Sequence, residues 1–89
     1  MNDNLNVLRE KISAIDEQIL MLLGERVNIA KEIGKIKREK GKPITDRERE
    51  KQVYAKVRMC AEKLGLNPED CEQVFKDIVR MCKRVQYEL

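Results

Sequence analysis

The feature that most constrains this chain is an apolar seam running from Leu5 to Ile36. Leu5, Leu8, Ile12, Ile15, Ile19, Leu22, Ile29, Ile33 and Ile36 recur at heptad spacing, in steps of three and four with one step of seven. That is the pattern of an α-helix with one narrow apolar stripe. No proline interrupts it, and Gly24 and Gly34 are interior costs of about 1 kcal/mol each that a helix tolerates. The predicted helix spans about Leu5 to Lys40 and stops at Gly41, with Pro43 two residues on. Lys35, Lys37, Arg38 and Lys40 crowd its last turns, where cations suit the helix dipole.

A helix of that length rises roughly 54 Å. A compact domain of 89 residues has a radius of gyration of about 12 Å and a diameter of about 30 Å. Half of the seam would stand clear of a monomer and expose Ile and Leu to water, and two shorter helices cannot cover it. Self-association resolves this, and a two-fold dimer is the commonest form. The expectation is a single all-α domain over residues 1–89, with three helices per chain, a long first helix and a helical homodimer.

Two further helices follow. The second opens at Thr45 or Asp46: Thr45 with Glu48 forms a capping box, and Asp46 can also cap. Its stripe is Val53, Val57, Cys60 or Ala61, and Leu64, closed by Gly65. In the third, Asn67 is the N-cap, Pro68 fits the first helical position, and Glu69 and Asp70 complement the dipole. Cys71, Val74, Phe75, Ile78, Cys82, Val85 and Leu89 form its stripe. No segment reads as a strand.

Composition narrows the function. There is no His, which removes the commonest general base and the commonest zinc ligand. None of the four Gly stands in a phosphate-cradling motif. Three Cys without CxxC spacing suit neither a disulfide framework nor a metal site, and read as small buried residues. Neither a metal nor another cofactor is expected. The charge of +3 comes from nineteen basic and sixteen acidic residues that intermingle, so no nucleic-acid partner is expected. No apolar run approaches the roughly 18 residues of a membrane span, and the polar stretch from Met1 to Asn6 carries no signal peptide. A soluble, cytoplasmic protein without a membrane partner is expected.

Several charged or polar residues fall where apolar ones belong. Seven residues beyond Ile19 the seam meets Arg26 and then continues at Ile29. A buried guanidinium needs an anion, which is either an acidic side chain of another helix or a ligand. Lys37 lies eleven residues on, about 16 Å along nearly the same face, and is either a solvated, dipole-compensating lysine or the second cation of an anion site. Arg9 flanks the seam about 42 Å from Lys37. It is a surface residue, or it serves a site of an antiparallel partner. Glu50 extends the apolar face of the second helix, and Gln86 lies on the inner side of the third. Each is exposed at a helix end, or is held by a hydrogen-bond partner or a ligand. Two cations and two inward polar groups on three helices suggest a small polar pocket inside a bundle.

These positions give the chain a specific resemblance. LREKISAIDEQILMLLGERVNIAKEIGKIK over 8–37, PITDREREK over 43–51 and CKRVQ over 82–86 resemble the all-helical chorismate mutases over nearly the full length. The resemblance implies an intertwined homodimer with two shared sites and the rearrangement of chorismate to prephenate in phenylalanine and tyrosine biosynthesis. Arg26 and Arg9 then look like carboxylate-binding arginines, Arg9 coming from the other subunit. Lys37 resembles the lysine that bonds the ether oxygen and a carboxylate, and Gln86 the second donor to that oxygen. Asp46 and Glu50 resemble the pair near the ring hydroxyl, and Arg49 an arginine that helps hold the site. Cys82 stands where some members carry a small hydroxyl residue, and a thiol donates only weakly. Two other readings share the scaffold: an isochorismate-pyruvate lyase, and a non-catalytic dimerisation or effector-binding module. The module accounts for the seam but not for Arg26 within it.

Overall fold

A computed structural model describes residues 3–89; Met1 and Asn2 of the polar N-terminal stretch lie outside them. The described residues form three α-helices and no strand: α1 (Asp3–Glu39), α2 (Arg47–Lys63) and α3 (Pro68–Tyr87). α3 packs against both α1 and α2, which do not pack on each other. The chain measures 61 × 27 × 14 Å, with a radius of gyration of 16.6 Å, well above the ~12 Å of a compact domain this size. α1 outruns the two helices beside it.

The helix ends follow from local chemistry. Of the two candidate caps for α2 it is Asp46 that serves: its backbone is extended and its Oδ1 accepts from Arg49 N at 3.0 Å. A carboxylate accepts more strongly than the Thr45 hydroxyl and complements the dipole as well. Asn67 caps α3 by accepting from Asp70 N at 2.9 Å, with Pro68 behind it. α1 and α2 each close with a hydrogen bond spanning five residues, Lys42 N to Lys37 O at 2.8 Å and Leu66 N to Ala61 O at 2.9 Å. The intervening Gly41 and Gly65 take positive φ, as this helix ending requires.

α1 carries two faces rather than one. The face against α3 consists of Leu23, Val27, Ala30 and Gly34, with Ala30 and Gly34 buried. The seam lies about one residue round the helix and stays exposed along its whole length, at Ile29, Ile33 and Ile36 as well as from Leu5 to Leu22. Every residue from Asn4 to Leu22 is exposed. This corrects the expectation that only half of the seam would stand clear. It also changes the meaning of Arg26, which sits half-buried at the border of the two faces rather than inside a stripe buried by its own chain. The small residues Ala30 and Gly34 were inconspicuous in the heptad count because close helix approach selects for small size rather than hydrophobicity.

Only Ala30, Ala61, Val79 and Cys82 are buried apolar residues among those described. Ala61 rather than Cys60 faces α3, and Cys60 is exposed, contrary to its reading as a buried residue; Cys71 is half-buried. Leu64 and Val74, assigned to stripes, are exposed. Leu64 has already turned out of α2 as its C-cap.

Gly34 is required by contact. A Cβ there would lie 2.8 Å from Gln86 Cγ, 3.1 Å from Gln86 Cβ and 2.9 Å from Leu89 Cδ1. Leu89 is further tied to α1 by Arg38, which donates to its carbonyl oxygen. Gly34→Ala gains about 1 kcal/mol of helix propensity but forces α3 outward at an overpacking cost of about 1–3 kcal/mol. Net destabilisation is expected, read as a lower urea midpoint at fixed chain concentration. A raised midpoint would show that the end of α3 yields freely.

Candidate active site

The three helices enclose a cleft of about 480 Å³. Its floor is apolar, from Ala30 and Ile33 of α1, Val53 of α2 and Val79 of α3. Onto this floor converge Arg26 and Lys37 from α1, Asp46, Arg49 and Glu50 from the start of α2, and Cys82 and Gln86 from α3. Seven of the eight residues singled out in the sequence therefore share one cavity. The eighth, Arg9, does not line it and lies on the exposed half of α1, about 42 Å along the helix from Lys37.

Arg26 donates from Nη1 to Cys82 Sγ at 2.9 Å. Among the described residues it makes no ion pair, so the interhelical salt bridge considered for it is absent there. With no carboxylate beside it there, the guanidinium is available to an anion. Lys37 donates from Nζ to Ile44 O at 2.7 Å, which ties the α1–α2 loop to the cleft. An ammonium has three donors, so two remain. Gln86 is only 7% exposed. Its Nε2 reaches Cys82 O at 3.3 Å, and its Oε1 has no partner among the described residues. Buried amides are normally satisfied, so this Oε1 is an acceptor left without a donor.

The sequence reading missed Lys83. Its Nζ lies 3.1 Å from Glu50 Oε2, and both side chains line the cleft. The hint available was spacing: Lys83 follows Val79 by four and precedes Gln86 by three, which puts it on the same side of α3. The rest of that α2–α3 edge is polar as well. Arg58 and Lys76 flank Glu72 at 3.2 and 3.3 Å. The hydrogen bond from Lys76 is the largest of the influences that hold the Glu72 carboxyl below its usual range. Between the two ends, Lys76 Nζ sits 5.9 Å from the centre of the Tyr54 ring. Burial, and then the charge of Glu50, raise the Tyr54 phenol above its ordinary value.

A second hollow of about 450 Å³ opens beside the first and shares Arg26, Arg49 and Val53 with it. Its other walls are largely apolar, with Val57, Ala61, Leu64 and Leu66 on one side and Cys71 and Phe75 on the other. No group of three or more His, Cys, Asp or Glu is gathered for a metal among the described residues, and no helix there is long and apolar enough to cross a membrane. The chemistry on offer is a small open cleft with four cations, two carboxylates, a buried amide and an apolar floor. It suits an anionic ligand held at several points, with donors for one more oxygen.

Comparison with known proteins is consistent along the chain. The family described as Chorismate mutase type II matches residues 8–87. The chorismate mutase of Methanocaldococcus jannaschii is 34% identical over 86 residues, covering 97% of this chain and 87% of that protein. The bifunctional chorismate mutase/prephenate dehydratase of Aquifex aeolicus is 32% identical over 90 residues; the match takes in 98% of this chain but only 25% of that longer protein. Among solved structures, a conserved hypothetical protein from Pyrococcus furiosus superposes with a TM-score of 0.73 at 38% identity, covering 93% of this chain and 95% of that one.

Proposed function

The chain belongs to the type II chorismate mutase family, and we propose that it rearranges chorismate to prephenate in a cleft completed by a second copy of itself. The observation that carries this reading is the convergence of Arg26, Lys37, Arg49, Glu50 and Gln86 on one cavity between the three helices. The reaction is an intramolecular [3,3] shift of a dicarboxylate and moves no proton, so it asks for positioning and fixed charge rather than for a base.

Arg26 and the partner's Arg9 clamp the two carboxylates and hold the substrate in the compact chair from which the new bond forms. As the C–O bond breaks, negative charge grows on the ether oxygen. Lys37 donates to it with an N–H left over from its bond to Ile44 O. Gln86 donates with the second N–H of its amide, the first being held by Cys82 O. Both donors act over an apolar floor, where such interactions are stronger than in water. Asp46 and Glu50 receive the ring hydroxyl, and Arg49 braces them. Cys82 replaces a hydroxyl contact with a sulfur that orients Arg26.

The dimer rests on two supports. The seam is exposed from Leu5 to Ile36, far more apolar surface than a monomer normally presents. The second hollow is apolar and adjoins the cleft through Arg26 and Arg49, so a partner's α1 seated there brings Arg9 to the substrate. The antiparallel arrangement gives two identical sites.

The direct test is chorismate disappearance followed by ultraviolet absorbance. Turnover far above the spontaneous rate is expected, with prephenate as product. No acceleration would overturn the reading. Pyruvate release from isochorismate at a higher kcat/KM than chorismate turnover would assign the scaffold to the lyase reaction instead.

A further inference from the structure

The α2–α3 edge holds two interhelical ion pairs with different surroundings. Arg58–Glu72, at 3.2 Å with side chains 43% and 24% exposed, lies at the end away from the cleft and lines neither it nor the hollow beside it. Lys83–Glu50, at 3.1 Å, opens into the cleft, with side chains 29% and 23% exposed. The first is an ordinary strut. The second faces the position proposed for the substrate.

The charge count of the cavity shows what Lys83 adds. Arg26, Lys37, Arg49 and Lys83 supply four positive charges, and Asp46 and Glu50 supply two negative ones, a surplus of about two from this chain, to which the partner's Arg9 adds one; the excess suits a dicarboxylate. Asp46 is engaged as the cap of α2. Glu50, by contrast, is a partly buried carboxylate with the substrate's carboxylates as prospective neighbours, and Lys83 is its counter-charge. Without Lys83 this chain's own surplus falls to one, and a bare carboxylate confronts a dianion, an arrangement that opposes binding.

We infer that Lys83 is a substrate-positioning residue that acts through Glu50: it holds Oε2 and offsets its charge, leaving Oε1 to accept the ring hydroxyl of the substrate. The inference rests on the mutase reading and deepens it. Lys83 touches no reacting atom; it governs how well Glu50 can sit beside a dianion.

The test compares Lys83→Met, Lys83→Arg, Arg58→Met, Glu50→Gln and the Lys83→Met/Glu50→Gln double variant with the full-length parent. Circular dichroism and solution mass verify the fold and association of each. Lys83→Met is expected to raise KM about 10-fold with a smaller change in kcat. Lys83→Arg keeps KM near the parent's, and Arg58→Met, which removes the strut of the same kind, leaves both constants unchanged. In the double variant Glu50 is neutral, so KM falls back toward that of Glu50→Gln alone. A purely structural Lys83 would instead give additive losses, or equal losses for Lys83→Met and Arg58→Met. Either result, or unchanged kinetics in Lys83→Met, overturns the inference while the mutase reading stands. A parent that does not accelerate chorismate turnover overturns both.

Discussion

Lys37→Ala lowers kcat by about 10²–10³-fold, the usual loss for one donor to a developing oxyanion, while the helical content stays that of the parent. Part of the reason lies in the substrate-free geometry. Lys37 already holds Ile44 O at 2.7 Å, so its ammonium is fixed before substrate arrives and little reorganisation accompanies bond breaking. Arg9→Ala is expected to be weak as well, for a different reason, since in the proposed dimer it removes one carboxylate clamp from the neighbouring site. The two defects complement each other. When the two variants exchange subunits, each mixed dimer holds one site with both residues intact and one with neither. An equimolar mixture in which about half of the dimers are mixed therefore regains about a quarter of the parental sites. Activity measured before and after mass spectrometry verifies exchange provides the check. No recovery after exchange would mean that Arg9 and Lys37 of different chains do not meet.

Ile15→Asp is the second large effect. Ile15 sits in the middle of the exposed seam, 53% exposed in the single chain. In a two-fold antiparallel pair each substitution is present twice, and a carboxylate buried without a partner costs several kcal/mol. The expected outcome is a monomeric mass at micromolar concentration in sedimentation equilibrium, with activity lost along with Arg9's reach. A full-strength dimer with normal turnover would show that the seam is not the interface.

How far the chain could be read from its sequence depends on what each residue answers to. Periodicity and caps record local preference, so three helices, Asn67 and the alternative of Asp46 at the second cap were legible. Arg26, Lys37, Glu50 and Gln86 stood out because a charge or amide at a core spacing conflicts with its surroundings. Which face of α1 meets α3 was not legible, because Leu23, Val27, Ala30 and Gly34 carry a weaker apolar signal than the isoleucines beside them. Gly34 counted as a mild defect until the position of Gln86 gave it a purpose. Lys83 was invisible for a simpler reason. It is one cation among many in a 39% charged sequence, and its partner is 33 residues away, a distance only topology can close.

The exposure of residues 4 to 22 bears on how such a chain reaches its working form. A helical stretch of that length is marginal in water without tertiary support, and its own chain gives it little. The second half of α1 can nucleate against α3 in isolation, whereas for the first half the packing partner is the second copy of the proposed dimer. Maturation of the proposed dimer then ends in a second-order step whose pace follows the number of chains present, and turnover per chain is expected to rise as newly made chains accumulate.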